Sequence, residues 1–170
     1  MYNFEIEICI VTQAKFMSEI ITLIDEFIGQ QGNSRNNLLP LLQKIVEKEN
    51  YLSEESLMLV ADAMKLSAAD VYGTATFYAY LGTVPRGKYI IRMCRNISCM
   101  MKLQAEVLAA LSNHLKIKAG ETTTDKKFTL LQVNCLGWCH QAPAMMINNE
   151  VFTELTSQKA IQVVNEFMQK

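Results

Sequence analysis

Apolar residues in the first half of the chain recur at the three- and four-residue spacing of an α-helix. The breaker residues 29–34 (GQQGNS) separate two such stretches, and Asn37 is the predicted N-cap of the second. Ser53 and Ser67 are predicted to cap a third and a fourth helix. The two stripes consist of Ile20, Ile21, Ile24, Phe27 and Ile28, and of Leu38, Leu41, Leu42, Ile45 and Val46. The pattern predicts a small helical bundle whose stripes pack against each other or against a partner.

The pattern changes after the turn-rich residues 82–87 (GTVPRG), where short β-prone runs begin. Strands are predicted at residues 89–93, 128–133 and 144–147, and helices around Leu103–Leu111 and over residues 156–169. The order strand, helix, strand, strand, helix is that of a compact unit with helices packed on a small mixed sheet, as in thioredoxin-like folds. The predicted class is α+β, with a helical segment at 1–82 and an α/β domain at 83–170. Residues 5–10 (EIEICI) alternate with period two, which is the pattern of a short additional strand.

Charge and composition exclude several classes of function. The chain has 170 residues, 50% of them hydrophobic, with 16 basic and 17 acidic side chains and a formal charge of −1. Such a balance gives no electrostatic footprint for nucleic acid. No apolar stretch reaches the roughly 18 residues that a membrane span needs, and the acidic start is unlike a targeting peptide. We therefore expect a cytoplasmic protein that does not itself insert into a membrane, either alone or as part of a membrane-associated complex. There is no Gly-rich nucleotide-binding motif.

Four of the five cysteines form two close pairs. Four residues separate Cys94 from Cys99, and three separate Cys135 from Cys139, while Cys9 stands alone. Each pair follows a predicted strand, where the loops of an α/β sheet gather ligands. Two such loops bring four thiols around one site, which suits a metal centre.

The spacing favours an iron–sulfur cluster and leaves other interpretations open. Disulfides are not expected because nothing marks the chain as secreted, and dithiol redox chemistry uses the Cys-x-x-Cys motif, which is absent here. All-cysteine zinc sites usually have two-residue gaps, whereas the wider gaps here suit the larger cluster. Zinc and purely structural thiols remain the alternatives.

Three neighbours of the cysteines are candidates for tuning such a cluster. Gly137 allows close backbone approach and N–H donation to a sulfur, and Arg95 supplies a positive charge beside a ligand. Trp138 contributes to an apolar surround that limits access of water, or alternatively serves as an interface anchor.

With both cysteine pairs in place, the sequence from about Phe16 to about Val164 resembles a known family. This is the thioredoxin-like 2Fe-2S subunit of complex I and of related NAD(P)-linked hydrogenases, including electron-bifurcating ones, and formate dehydrogenases. The segments that carry the resemblance are 51–53 (YLS), 71–78 (VYGTATFY), 85–89 (PRGKY), 120–123 (GETT), 135–139 (CLGWC) and 142–143 (AP). The resemblance implies one 2Fe-2S cluster held by Cys94, Cys99, Cys135 and Cys139.

The resemblance also implies a function and partners. The chain would carry single electrons to or from a larger iron–sulfur flavoprotein subunit that binds FMN and NAD(P)H, with further electron-transfer or hydrogenase subunits beyond it. The N-terminal helices would bind that flavoprotein, since their apolar stripes exceed the need of a lone bundle. The isolated chain would not oxidise NADH. The alternatives are a structural zinc-binding assembly module and a free-standing thioredoxin-like ferredoxin.

Overall fold

The computed structural model describes the backbone of residues 3–169 and the side chains of residues 17–169. The chain divides into two compact units, Met1–Pro85 and Arg86–Lys170. Among the described helices, none has a run long and apolar enough to cross a membrane.

The first unit is helical. Ser53 and Ser67 cap helices as predicted, because the hydroxyl oxygen of each accepts a hydrogen bond from the backbone N–H three residues later. Asn37 precedes the second helix, but its side chain does not make the predicted capping hydrogen bond. Its amide group donates instead to the carbonyls of Gln31 and Gly32, at the end of the first helix. The helices are α1 (Asn3–Gln31), α2 (Leu38–Glu49), α3 (Glu54–Met64) and α4 (Ala68–Phe77).

The predicted apolar stripes pack against each other within this unit. Ile20, Ile24 and Phe27 of α1 are buried in one core with the stripe of α2 and with the inner face of α3. The expectation that these stripes exceed the need of the bundle is therefore wrong, and only Ile21 among their residues is exposed. Residues 5–10 lie inside α1, so the predicted extra strand is also wrong. A short run of alternating apolar and polar residues forms a strand only if it can pair with the edge of a sheet. The four-stranded sheet lies wholly in the second unit. The side chain of Cys9 lies outside the described residues.

The first unit exposes aromatic rings rather than its helical stripes. Tyr72 and Phe77 project from α4, and Tyr78 and Tyr80 lie in the turn that follows. Phe77 is 79% exposed, and its ring packs edge-on against that of Tyr78 at 5.0 Å. We call these four residues the aromatic surface.

The second unit is a four-stranded mixed sheet with helices. Strand β1 (Tyr89–Cys94) pairs in parallel with β2 (Phe128–Val133) and antiparallel with β3 (Met145–Ile147), and β4 (Glu150–Phe152) extends the sheet in the order β2-β1-β3-β4. The three predicted strands are confirmed, whereas β4 was not predicted. The helices of this unit are α5 (Ile97–Met100), α6 (Gln104–Leu115) and α7 (Ser157–Gln169).

The central strand β1 and its parallel neighbour β2 end side by side. Every residue of β1 is buried, as expected for a central strand. The parallel register pairs Tyr89 with Phe128 at one end and Cys94 with Val133 at the other. The carboxyl ends of β1 and β2 therefore lie side by side.

Gly87, at the entrance to β1, is a position where only glycine fits. A β-carbon there would lie 2.9 Å from the carbonyl oxygen of Lys126 and from the carbonyl carbon of Phe128, which are backbone atoms. We expect Gly87→Ala to lower the free energy of unfolding by about 1–3 kcal/mol, the usual cost of overpacking. Gly73→Ala is the matched control, because nothing lies within 4 Å of its added β-carbon and a helix gains from alanine. Urea unfolding of both variants tests this, and equal stabilities would contradict it.

Glu49 at the end of α2 is a buried carboxylate. The Ser56 hydroxyl lies within hydrogen-bond distance of it, at 3.1 and 3.3 Å from its two oxygens. Burial raises the pKa of Glu49 from 4.5 to about 7, and Ser56 and Lys48 offset only part of that rise. The folded chain therefore binds this proton more tightly than the unfolded chain does.

This raised pKa predicts a pH dependence of stability. The contribution of protonated Glu49 is complete below pH 4.5 and is lost as the pH rises through about 7. At about 1.4 kcal/mol per pKa unit, the loss is about 3 kcal/mol. We expect Glu49→Gln to be more stable than the native chain at pH 8 and similar to it at pH 4.5. Denaturant unfolding at several pH values measures this, and parallel curves for the two proteins would refute it.

Candidate metal centre

The four paired cysteines lie at the carboxyl ends of the two parallel strands. Cys94 is the last residue of β1 and is in register with Val133, the last residue of β2. Cys135 follows two residues later, and Cys139 begins a short 3₁₀ turn over Cys139–Gln141. The backbone N–H of Arg95 donates to the carbonyl of Val133, which ties the two loops together. The fold thus brings both cysteine loops to one edge of the sheet, as the sequence predicts.

Cys94 and Cys99 form an inner pair. Each is only 1% exposed, in a small apolar cluster with Ala142, Ala144 and the half-buried Leu136. The single turn α5 returns the chain from one cysteine to the other, and the Asn96 side chain begins it by accepting from the N–H of Ile97. Burial raises the pKa of the Cys99 thiol.

Cys135 and Cys139 form an outer pair, and both are exposed. Their sulfur atoms lie 3.2 Å apart. The backbone N–H of Gly137 donates to Cys135 Sγ at 3.3 Å, which lowers the pKa of that thiol. Gly137 has a φ of 90°, a conformation that favours glycine. The expected N–H donation by Gly137 to a sulfur is therefore present.

The two pairs belong to one site. The side chain of Cys135 interacts with those of Asn96 and Cys94, and the side chain of Cys139 interacts with that of Ser98. The hydrogen bond that the Cys139 thiol donates to the neighbouring Cys135 is the main reason that the pKa of Cys139 is raised. The structure thus brings all four predicted ligands together.

The donor set fits a two-iron cluster. A 2Fe-2S cluster with four cysteine ligands divides the thiolates between its two irons, and the site offers two pairs. Among the described side chains, no group of three or more His, Cys, Asp or Glu is arranged around one point to hold a single metal ion. A dinuclear cluster does not require such a group, since each iron takes two thiolates.

The remaining predicted neighbours are Arg95, which links the two loops, and Trp138, which lies in the outer loop. Arg95 Nη2 donates to Oδ1 of Asn134 at 3.4 Å, so its guanidinium crosses from the inner loop to the residue before Cys135. Trp138 is 41% exposed, and its ring stacks on His140 with the centroids 5.7 Å apart.

Sequence reasoning missed several contacts at the centre. The side chains of Asn96 and Ser98 reach the outer pair, and the Ala144 carbonyl accepts from the N–H of Cys94. Asn96 precedes a helical turn, so N-cap chemistry was the one available signal for it. The ring of His140 stacks on Trp138, a contact that the sequence does not signal. Around the cysteine loops, large apolar side chains are also exposed: Ile97, Met100, Met101 and Leu103.

Comparison with known proteins gives relatives that align over most of their length. The chain is 33% identical over 153 residues to an NADH-quinone oxidoreductase subunit of Buchnera aphidicola subsp. Acyrthosiphon pisum, covering 90% of this chain and 94% of the relative. The corresponding protein of Aquifex aeolicus, also a subunit of NADH-quinone oxidoreductase, is 36% identical over 141 residues, covering 83% and 88%. The NADP-reducing hydrogenase subunit HndA of Solidesulfovibrio fructosivorans is 32% identical over 142 residues, covering 84% and 83%.

The fold also matches a solved structure. A chain of an NAD+-reducing NiFe hydrogenase in its air-oxidised state superposes with a TM-score of 0.70 at 22% identity. The match covers 78% of this chain but only 23% of that longer chain.

A family match settles the assignment. Residues 24–168 match the family described as thioredoxin-like 2Fe-2S ferredoxin, a range that includes both cysteine pairs. The predicted fold class and the predicted cofactor, one 2Fe-2S cluster, are thereby confirmed. The chain belongs to the thioredoxin-like 2Fe-2S ferredoxin family.

Proposed function

We propose that this chain is an electron-transfer subunit of an NAD(P)-dependent oxidoreductase and that its 2Fe-2S cluster is bound by Cys94, Cys99, Cys135 and Cys139. The observation that carries the proposal is the meeting of two cysteine pairs at one sheet edge of a family member. The relatives support the wider setting, because they are named as subunits of NADH-quinone oxidoreductase and of an NADP-reducing hydrogenase.

The two cysteine pairs and their neighbours have different roles in binding the cluster. The inner pair would hold one iron within the apolar cluster, and the outer pair would hold the other iron near the surface. When bound, the cluster supplies one-electron redox chemistry. The Gly137 N–H stabilises negative charge on Cys135, while Ala142, Ala144 and Leu136 exclude water from the inner pair.

The proposed redox partner is a larger subunit that carries FMN and binds NAD(P)H. A domain of this fold occupies about a quarter of a longer polypeptide in the NAD+-reducing hydrogenase, which supports association with a larger neighbour. We propose that the helical segment 1–82 binds this partner and that the domain 83–170 carries the cluster. The aromatic surface is the contact we assign to the helical segment, because Tyr and Phe are enriched at interfaces and these rings are exposed.

A redox partner must also approach the cluster itself. The outer thiols are the exposed ones, so the shortest path for an electron to the surface leads through their loop. No Gly-rich dinucleotide motif occurs in the sequence, and NAD(P)H chemistry therefore belongs to the partner.

The proposal is tested with the native complex. The tagged chain is purified anaerobically from its own host, and the copurifying flavoprotein is assayed for FMN by fluorescence. We expect NADH or NADPH to reduce the 2Fe-2S cluster in the complex within seconds, seen by freeze-quench electron paramagnetic resonance. The isolated chain is the control and should be reduced by dithionite but not by the nicotinamide. A cluster that forms but is reduced by neither nicotinamide in the complex would overturn the proposed partner.

A further inference from the structure

The two cysteine pairs differ sharply in their surroundings. Cys94 and Cys99 are each 1% exposed, among Ala142, Ala144 and Leu136, whereas Cys135 and Cys139 are exposed to solvent. If each pair holds one iron, the two irons stand in unlike electrostatic environments. One lies against alanine and leucine side chains, and the other lies beside water.

Reduction adds one negative charge to the cluster, and that charge is stabilised unequally at the two ends. An apolar surround penalises added charge because it replaces water with groups that do not solvate it. Water at the outer pair solvates the same charge directly. Exposure therefore favours the added electron at the outer pair.

Hydrogen bonding does not reverse this preference. The Gly137 N–H donates to Cys135 Sγ at 3.3 Å. In the inner pair, the N–H of Cys94 donates to the Ala144 carbonyl and that of Cys99 to the Asn96 carbonyl, so these two donors are directed away from sulfur. The inner pair does receive one backbone hydrogen bond from Ala144, at Cys99. Each pair therefore receives one backbone hydrogen bond at a sulfur, and the difference in exposure decides which pair takes the added electron.

A positive charge also lies between the two cysteine loops. The Arg95 guanidinium donates to Asn134 at 3.4 Å, and Asn134 directly precedes Cys135. Neither residues 87–105 nor residues 126–149 contain an Asp or Glu, so no carboxylate of these segments neutralises it. Because Arg95 itself directly follows Cys94, its charge favours an added electron on the cluster as a whole, and the difference in exposure decides which pair takes it.

We infer that Cys135 and Cys139 are the ligands of the iron that is reduced, and that Cys94 and Cys99 stay on ferric iron in both redox states. This inference rests on the proposed function, since it requires the four-cysteine cluster. One electron from a reduced flavin of the partner, or from dithionite in the test, converts one ferric iron to ferrous. No bond to sulfur breaks and no proton moves. The electron then enters and leaves beside the exposed thiols.

Paramagnetic proton magnetic resonance of the dithionite-reduced protein tests the assignment. The cysteine β-protons on ferric iron have large shifts that decrease on warming, whereas those on ferrous iron have small shifts with the opposite temperature dependence. Selective deuteration at cysteine Cβ identifies the eight ligand protons. Nuclear Overhauser contacts then assign the pairs, since the inner protons lie near the Ala142 and Ala144 methyl groups.

We expect the ferrous pattern for Cys135 and Cys139 and the ferric pattern for Cys94 and Cys99. The opposite pattern, or one averaged over all four, would overturn the inference while leaving the four-cysteine cluster established. Failure to bind two irons would instead overturn the proposed function.

A charge variant measures how strongly Arg95 stabilises the reduced cluster. Arg95→Gln should lower the midpoint potential of the cluster, because a positive charge close to it is lost. Lys88→Gln is the matched control, since Lys88 is exposed at the opposite end of β1 and its replacement removes the same charge. An equal change of potential in the two variants would contradict a specific role for the Arg95 charge near the cluster.

Discussion

Replacing both inner cysteines, as in the double variant Cys94→Ala, Cys99→Ala, will abolish the visible absorption of the protein and reduce its iron content from about two atoms per chain to nearly none. These two residues supply half of the four thiolates that a 2Fe-2S cluster requires. No Asp, Glu or His occurs between residues 87 and 105 that could replace them as ligands. Iron and sulfide analysis with an absorption spectrum measures the loss.

A matched cysteine variant separates ligand loss from general thiol chemistry. Cys9→Ala removes the one cysteine outside both pairs and should keep the full iron content. Circular dichroism checks that the double variant still folds, because both substitutions are small and the inner cluster is already lined by alanines. A folded double variant that retains two irons per chain would contradict the ligand assignment.

Removing the two α4 rings of the aromatic surface, as in the double variant Tyr72→Ala, Phe77→Ala, should weaken binding to the flavoprotein subunit by at least about 30-fold. Aromatic anchors at the centre of an interface typically contribute about 2 kcal/mol or more, and about 1.4 kcal/mol corresponds to tenfold in affinity. Both side chains are exposed, and so their loss removes no core packing. Titration calorimetry with the purified flavoprotein measures the change.

The control for this surface is an exposed apolar residue on the neighbouring helix. Met58→Ala removes a 57% exposed side chain from α3 and should leave the affinity within about threefold, as for a surface contact outside a hot spot. The cluster content of both proteins should be unchanged. Equal affinities of the double variant and the native chain would show that the flavoprotein binds elsewhere.

Much of the fold could be predicted because local chemistry and long-range packing agree. Ser53 and Ser67 are good N-cap residues followed by acidic first turns, and both begin helices. The β-prone runs that form β1 and β2 each follow turn residues, and all of β1 and the first half of β2 are buried. The two cysteine pairs could likewise be placed at one site, since both follow parallel strands.

Other features depend on contacts that a linear pattern does not carry. The run 5–10 alternates like a strand, but the first unit offers it no sheet edge, and it continues α1 instead. Strand β4 has only three residues and forms through its antiparallel pairing with β3. The exposure of Tyr72 and Phe77 could not be read from the sequence, because both lie in a helix whose Val71 and Ala75 are buried.

The unequal burial of the two cysteine pairs could also not be predicted from the sequence. Both pairs follow strands, and both are flanked by polar and apolar residues alike. The difference arises because Ala142 and Ala144, which lie beyond the second pair in the chain, return to cover the first. This return makes the inner pair apolar and leaves the outer pair at the surface.

The most direct test of the central claim is electron paramagnetic resonance of the anaerobically purified, dithionite-reduced chain, with iron, sulfide and zinc counted on the same sample. A bound 2Fe-2S cluster predicts a signal with an average g value below that of the free electron, together with about two irons and two sulfides per chain. A silent spectrum with about one zinc per chain would contradict the electron-carrier account and favour a structural zinc-binding assembly module.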